Sequence, residues 1–328
     1  MVFHRPVTKK EWIAHGVVAL LLILFLGFLI WFNQGIEKTP LVPDDGMTFE
    51  KATVVGILED NRNEYGTRAG SQLLQVEITS GSLRGTVCEA QNIAGYLYGA
   101  QCEVGTKVIV QVSEYEGQIS ANVYNYDRGM SLYLLVGLFL AVLCIIGGKK
   151  GILSAASLVF TFVCILFLYV PMLYIGCSPF LAATLVVILT TLVTMYFIGG
   201  FSKKMACSVL GTIAGVVAAG GIAAVFGEMS HISGMNVPEI ETMILIGQNS
   251  RLQIGGVMFS GILIASLGAV MDVSMSVAST IHEIYLHNPQ LSQKELFTAG
   301  IHVGRDMMGT MSNTLILAFT GSSVNTLL

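Results

Sequence analysis

The chain has 328 residues, 53% of them hydrophobic and 12% charged, with a net charge of −4. Soluble domains carry about 25% charged residues. Half that proportion, with a mean hydropathy of +0.71, excludes an ordinary water-facing globule and points to a chain solvated largely by lipid. The weakly acidic balance offers no basic face, so nucleic acid is excluded as a partner.

In chain order, the first apolar segment runs from Trp12 to about Phe32 without a charge, behind Arg5, Lys9 and Lys10. Basic residues ahead of a span hold its start in the cytoplasm. The segment exceeds the ~7–15-residue core of a signal peptide and no A-x-A cleavage site follows it. Residues 1–32 are therefore expected to form a cytoplasmic tail and a retained anchor helix.

Residues 33–128 change character. Acids and bases crowd the first third, from Glu37 to Arg68. Short alternating runs follow: Leu74, Val76 and Ile78 share one strand face, as do Val108, Val110 and Val112, and Ile119, Ala121 and Val123. Ser80-Gly81-Ser82 and Glu116-Gly117 supply turns. With Phe49–Leu58 and Arg84–Asn92 this predicts about five strands, best closed as a small OB-like barrel that removes its own edges. Nucleic-acid binding would need basic and aromatic residues interleaved on one face, and here acids match bases. Cys88 and Cys102 both fall in this domain; outside the cytoplasm they either pair or stay as two thiols.

Residues 129–328 predict a six-helix membrane domain, with segments at about Met130–Gly147, Gly151–Ile175, Phe180–Gly199, Met205–Phe226, Leu252–Ala278 and Met307–Leu328. Lys149-Lys150, Lys203-Lys204, Lys294 and Arg305 fall in the cytoplasm when the N-terminus is inside, and only Arg251 falls outside. The expected fold is thus a polytopic α-helical membrane protein with about seven transmembrane helices and an extracytoplasmic all-β domain between the first two. A weak internal echo, Ile146-Gly147-Gly148-Lys149-Lys150 against Ile198-Gly199-Gly200 and Lys203-Lys204, marks two cytoplasmic turns.

Ionisable groups inside spans face the bundle interior or a wet cavity. Ala265, Gly268, Asp272 and Ser276 recur at helical spacing, so the small residues let a neighbour approach and direct Asp272 toward protein. Asp306, Gly309, Thr310 and Asn313 form a second stripe at i, i+3, i+4 and i+7. Both stripes reach a similar depth, so Asp272, Ser276, Asp306, Thr310 and Asn313 are the candidate ion or solute path, with Arg305 gating or positioning at its entrance. The plainer reading makes Asp306 an interfacial cap and the Thr and Asn helix-to-helix bonds. Ser292-Gln293-Lys294-Glu295 reads as a capping box opening the last helix.

Other chemistry is weaker. Glu228 and His231 supply two ligands, not a metal site, and the methionine pairs Met271/Met275 and Met307/Met311 read as packing rather than as a soft-metal site. His282 and His287 stand at i, i+5, one residue too far for a zinc-protease motif. There is no P-loop, Gly-x-Ser-x-Gly or haem-attachment sequence. No nucleophile–base pair assembles by spacing, so no enzyme activity, metal or cofactor is expected.

The runs Gly268-Ala269-Val270-Met271-Asp272-Val273-Ser274-Met275-Ser276 and Gly304-Arg305-Asp306-Met307-Met308-Gly309-Thr310-Met311-Ser312-Asn313-Thr314-Leu315-Ile316-Leu317-Ala318 resemble signatures of the YibE/F-like family of bacterial multi-pass membrane proteins, and the similarity extends over nearly the whole chain. The resemblance implies a bacterial plasma-membrane location and names no activity. It also implies hydrophobic sequence continuing past Gly321-Ser322-Ser323, where this chain stops at Leu328.

Two functions are expected to compete. The first is a secondary transporter or channel-like permease for an ion or small solute, with its path between the last two helices. The second is a non-transporting scaffold or sensor whose outer β domain binds an envelope component or partner protein. Expected partners are the lipid bilayer, the solute, and a second copy or a related membrane subunit.

Overall fold

Alternating valines dictate the β domain. The computed structural model describes residues 9–36, 47–62, 68–93, 100–115, 118–232, 254–322 and 324. They group into two units, Met1–Thr39 with Leu143–Leu328, and Pro40–Val142. In the second unit β1 (Met47–Arg62), β2 (Arg68–Ile78), β3 (Val87–Ile93), β4 (Lys107–Tyr115) and β5 (Gln118–Tyr126) close a barrel in the order β1-β2-β3-β5-β4. All neighbours are antiparallel except β3 and β5, where Ala90 pairs with Ala121 in parallel.

Closure works because β1 is long and bent. It pairs with β4 from Met47 to Thr53 and with β2 from Ala52 to Arg62. Register shifts after Val54, Ile57 and Asp60 let one strand turn between two partners. Leu74, Val76 and Ile78 are buried, as are Val108, Val110, Val112, Ala121 and Val123. Every alternation legible in the sequence points inward. Gly81 turns the chain after β2 at φ +70°, and a Cβ there would collide with the Glu50 carboxylate. Glu50 instead accepts from Ser80 Oγ at 2.5 Å. The Glu116-Gly117 turn lies outside the described residues.

Two polar side chains sit in the barrel core. Asn92 Nδ2 donates to Gln72 Oε1 at 2.8 Å and to the Ala100 carbonyl at 2.5 Å, and Asn92 Oδ1 accepts from the Ala100 N–H at 3.2 Å. Gln72 Nε2 donates onward to Asp60 Oδ1 at 2.9 Å. The network fastens the segment after β3 to the barrel wall.

The other unit is helical: α1 (Lys9–Asn33), α2 (Gly129–Cys164, whose first residues group with the barrel), a π-helical turn Ile165–Tyr169, α3 (Val170–Tyr174), α4 (Pro179–Gly199), α5 (Lys203–Met229), α6 (Ile254–His287) and α7 (Gln293–Ser322). Among the described residues five stretches are long and apolar enough to cross a membrane: Gly16–Asn33, Gly129–Tyr174, Pro179–Gly199, Lys203–Met229 and Ile254–His287. The second holds 46 residues, about 69 Å as one helix, more than twice a ~30 Å hydrocarbon core. It is broken at Gly148 (φ 54°, ψ −134°). Gly151 there comes so close to the Leu143 carbonyl that a Cβ would lie 2.2 Å from its oxygen. The segment Met307–Leu328, expected as a span, is helical to Ser322 within α7. Gly309, Thr310, Ser312, Asn313 and Thr314 dilute its leucines, and α7 is not among the five apolar stretches.

Small residues set the helix directions. Gly211, Gly215, Gly220 and Gly227 of α5 lie against Ser274, Val270, Leu263 and Phe259 of α6, an antiparallel pair. Gly199 of α4 lies near Met275 and Pro179 near Gly256, so α4 and α6 are parallel. Phe25 lies against Phe160 with the rings tilted, and Asn33 bonds to Phe167, so α1 runs parallel to the chain after Gly148. The starts of α1 and α5, the Lys149-Lys150 turn and the end of α6 consequently share one end of the bundle.

The first helix is more than an anchor. Asn33 Nδ2 donates to the Phe167 carbonyl at 2.8 Å, within the π-helical turn that precedes Pro171, and to the Leu29 carbonyl at 2.8 Å. Leu29 joins Phe160, Leu168, Val186 and Leu263 in one core.

Candidate functional site

Position along α6 is fixed by α5. Gly211 meets Ser274, so Asp272 lies level with the residues just after Thr212, about 15 Å along from Lys203 at ~1.5 Å per residue. That depth is inside an apolar stretch that can cross a membrane. Leu263 and Leu267 occupy the buried face of α6. Ala265, Gly268 and Asp272 occupy the opposite, exposed face. A Cβ built at Gly261 or Gly268 would meet nothing within 4 Å. The sequence pattern directs Asp272 toward a protein neighbour, and in the single chain that neighbour is not among the described residues. Ser276 is half-buried and its carbonyl accepts from Thr280 Oγ1 at 2.9 Å.

The last two helices form a hairpin. Asn288–Leu291 turns the chain, and Ser292 then caps α7: its N–H and Oγ both donate to the Glu295 carboxylate at 2.8 Å, and the Glu295 N–H donates back to Ser292 Oγ at 3.3 Å. The capping box read from the sequence is formed. These two donors hold the Glu295 carboxyl below its usual range. Gly300 is buried against Ile281 and Val277, and Gly304 also faces Val277. Continuing that antiparallel register brings Asp306 level with Met275 and Asn313 level with Gly268.

The second stripe is also outward. Arg305, Asp306, Thr310 and Asn313 are all exposed. Thr310 Oγ1 donates to the Met307 carbonyl at 3.0 Å, the ordinary use of a helical threonine. Thr310 Oγ1 also donates to the Asp306 carbonyl at 3.4 Å, but among the described residues no side-chain hydrogen bond or ion pair joins Asp272 and Ser276 of α6 to Asp306, Thr310 and Asn313 of α7. The fold thus brings the two stripes to the same level without joining them.

A second polar set was not singled out in the sequence. Thr190, Thr191, Thr194, Ser208, Thr212 and Ser260 are buried between α4, α5 and α6. Thr190 and Thr191 bond back to Val186 and Val187, and Ser208 to Lys204. Tyr169 shares a hydrogen bond with Ser260 across the π-helical turn. Thr194 Oγ1 and Thr212 Oγ1 have no hydrogen-bond partner among the described residues. The signal was present as Thr190-Thr191-x-x-Thr194, but hydroxyls in apolar helices carry little weight until their neighbours are known.

The remaining candidates lie elsewhere. Cys88 is half-buried on β3 and Cys102 is buried, and the structure draws no bond between their sulfurs. Burial pushes the Cys88 thiol up from its ordinary value. Glu228 and His231 are exposed, and no cluster of three His, Cys, Asp or Glu side chains stands ready for a metal among the described residues. Met275 packs beside Gly199 and accepts a long contact from Ser208 Oγ at 3.6 Å. Arg251 lies outside the described residues.

Residues 135–328 match the family model described as YibE/F-like protein, a match that spans more than half the chain and contains both stripes. The chain belongs to the YibE/F-like family. No curated protein and no solved structure matches it significantly. Family membership therefore encompasses α4 to α7 with Asp272, Asp306 and Asn313, whereas the β barrel precedes the matched residues of this YibE/F-like chain.

Proposed function

We propose that the protein is a secondary transporter or channel-like permease for an ion or small solute, with Asp272 as the binding carboxylate. The observation that carries this reading is Asp272 itself. It lies inside a span, exposed, with no hydrogen-bonding or charged partner among the described residues. A carboxylate held that way against lipid costs about 2.5–3.5 kcal/mol on insertion scales. Water, a cation or another subunit must offset that cost. Asp306, Thr310 and Asn313 lie level with the α6 stripe on the outward side of α7, and the same residues of a second copy would offer the further oxygens a partly dehydrated cation requires. A second copy or related membrane subunit closing over the Gly261–Gly268 face would complete the path.

The proposed setting is a bacterial plasma membrane, with about seven crossings, α7 the last, the N-terminus cytoplasmic and the OB-like barrel outside. The common bundle end shared by Lys149, Lys150, Lys203, Lys204 and the start of α1 supports this orientation, because short basic segments favour the cytoplasm. Flux into proteoliposomes containing the full chain should fall at least tenfold for Asp272→Asn across a panel of cations and small solutes. Unchanged flux in that variant would sink the assignment of the site.

A second reading, a scaffold or sensor working through the barrel, is favoured by one feature. Phe49 and Tyr124 form an exposed edge-on aromatic pair, ring centroids 5.2 Å apart, on the outer wall. Deleting residues 40–126 separates the two: retained transport supports the permease, and loss of a co-purifying partner supports the scaffold.

A further inference from the structure

At the end of the bundle where α5 begins, a cavity of about 520 Å³ opens between α5, α6 and α7. Lys203, Lys204, His282 and Tyr285 line it with Val277 and Leu296. Its polar groups come from two helices and its apolar groups from two, which makes it amphipathic by construction. No acidic side chain lines it. The described carboxylates adjacent in sequence to its lining residues are Asp272, Glu283 and Glu295; none of them lines it, and Glu295 is engaged by Ser292.

The charge arrangement is unfavourable as it stands. Lys203 and Lys204 are the first two residues of α5, where the helix dipole already makes the end positive and Ser202 Oγ accepts from the Met205 N–H alone among the first three. Cations belong at the other end of a helix. Neither lysine forms an ion pair among the described residues, where the ion pair seen is Lys51 with Asp127 in the barrel. An anion in the cavity would satisfy both the ammonium groups and the helix end.

Location narrows the anion. Lys203 begins one candidate span and Gly199 ends another, so the cavity mouth is level with the boundary between hydrocarbon and water. Val277 and Leu296 line the same cavity as the lysines. A free phosphate has no use for such a floor, whereas an acyl chain does. Basic pockets between transmembrane helices are suited to lipid headgroups.

We propose that this cavity binds an anionic phospholipid, with Lys203 and Lys204 holding the headgroup phosphate, Tyr285 donating to it, and an acyl chain lying along Val277 and Leu296. The site does not depend on the permease reading, nor on which side of the membrane this end faces. By clamping the start of α5 to the α6–α7 hairpin, the lipid would couple the hairpin's position to the composition of the leaflet.

The test is native mass spectrometry of the full chain released from nanodiscs of equal phosphatidylglycerol and phosphatidylcholine. The wild type should retain phosphatidylglycerol at least tenfold over phosphatidylcholine. The Lys203→Gln/Lys204→Gln variant should lose that preference, and Lys149→Gln/Lys150→Gln, altered at the same bundle end outside the cavity, should keep it. Leu296→Trp, which fills the floor and leaves the charges, should also lose the bound lipid, so the proposal remains testable if the lysine variant does not fold. Equal loss in both lysine pairs, retention in Leu296→Trp, or displacement of the lipid by millimolar inorganic phosphate would overturn it.

Discussion

Replacing Asn92 with alanine tests whether the barrel is held shut by its interior polar network. Asn92 is fully buried and takes part in four hydrogen bonds, three through Nδ2, the longest to Cys102 Sγ at 3.6 Å, and one through Oδ1. Truncation strands Gln72 Oε1 and both backbone groups of Ala100 in a core closed to water. Each stranded group costs about 1–3 kcal/mol, and partial relaxation brings the expected total to about 3 kcal/mol. That corresponds to roughly a hundredfold rise in opening, at about 1.4 kcal/mol per decade. Amide exchange of the intact, detergent-solubilised chain should show this rise across β2 and β3. Asn92→Leu separates the causes, because leucine restores the lost volume without restoring a donor or acceptor. It should be as damaging as alanine. Wild-type protection in Asn92→Leu would show that a cavity, not unpaired polar groups, governs the barrel.

Two further substitutions probe other parts of the fold. Gly220→Val should lower the thermal midpoint in detergent by an amount equivalent to about 1–3 kcal/mol of overpacking. Its Cβ would sit 2.4 Å from Leu263 Cδ2 in the core, whereas Gly221→Ala enters open space and should leave the midpoint unchanged or slightly raised. In the barrel, the Gly129 N–H and then the Lys51 ammonium, 3.2 Å away, hold the Asp127 carboxyl below its usual range. A folded-state value below the unfolded ~3.9 adds stability that is complete above that pH and disappears as pH falls through the folded value. Asp127→Asn should therefore flatten the loss of barrel stability below about pH 4; identical acid profiles would contradict the assignment.

The strands were legible because a half-buried strand writes its burial with period two. Leu74, Val76 and Ile78, or Val108, Val110 and Val112, leave one choice of inward face. Barrel closure was readable only as a type: the bulges in β1 and the parallel contact of Ala90 with Ala121 depend on partners far along the chain. The helices were legible by length and apolarity, the capping box at Ser292 by its spacing. The role of α1 was not. Asn33 is plain in the sequence, but that it donates to the Phe167 carbonyl is a contact over 134 positions.

The candidate site shows the same division at higher stakes. Helical spacing grouped Ala265, Gly268, Asp272 and Ser276 on one face, and Asp306, Gly309, Thr310 and Asn313 on another; Ser276 is half-buried and the others are exposed. Spacing says which residues share a face, never what that face meets. In a soluble protein an exposed aspartate would need no explanation; within a span it costs about 2.5–3.5 kcal/mol on insertion scales unless something polar reaches it. The small residues around Asp272 leave room for close approach, and α7, too polar to be counted with the apolar spans, presents its oxygens at the same level. Both faces are incomplete in the same sense and at the same depth. Val277 and Ile281, which meet Gly300 and Gly304, lie about half a turn around α6 from Asp272, and Asp306 and Asn313 lie about half a turn around α7 from Gly304. The two faces therefore open on opposite sides of the hairpin, and each needs an occupant of its own, whether water with its ion or a helix from another subunit.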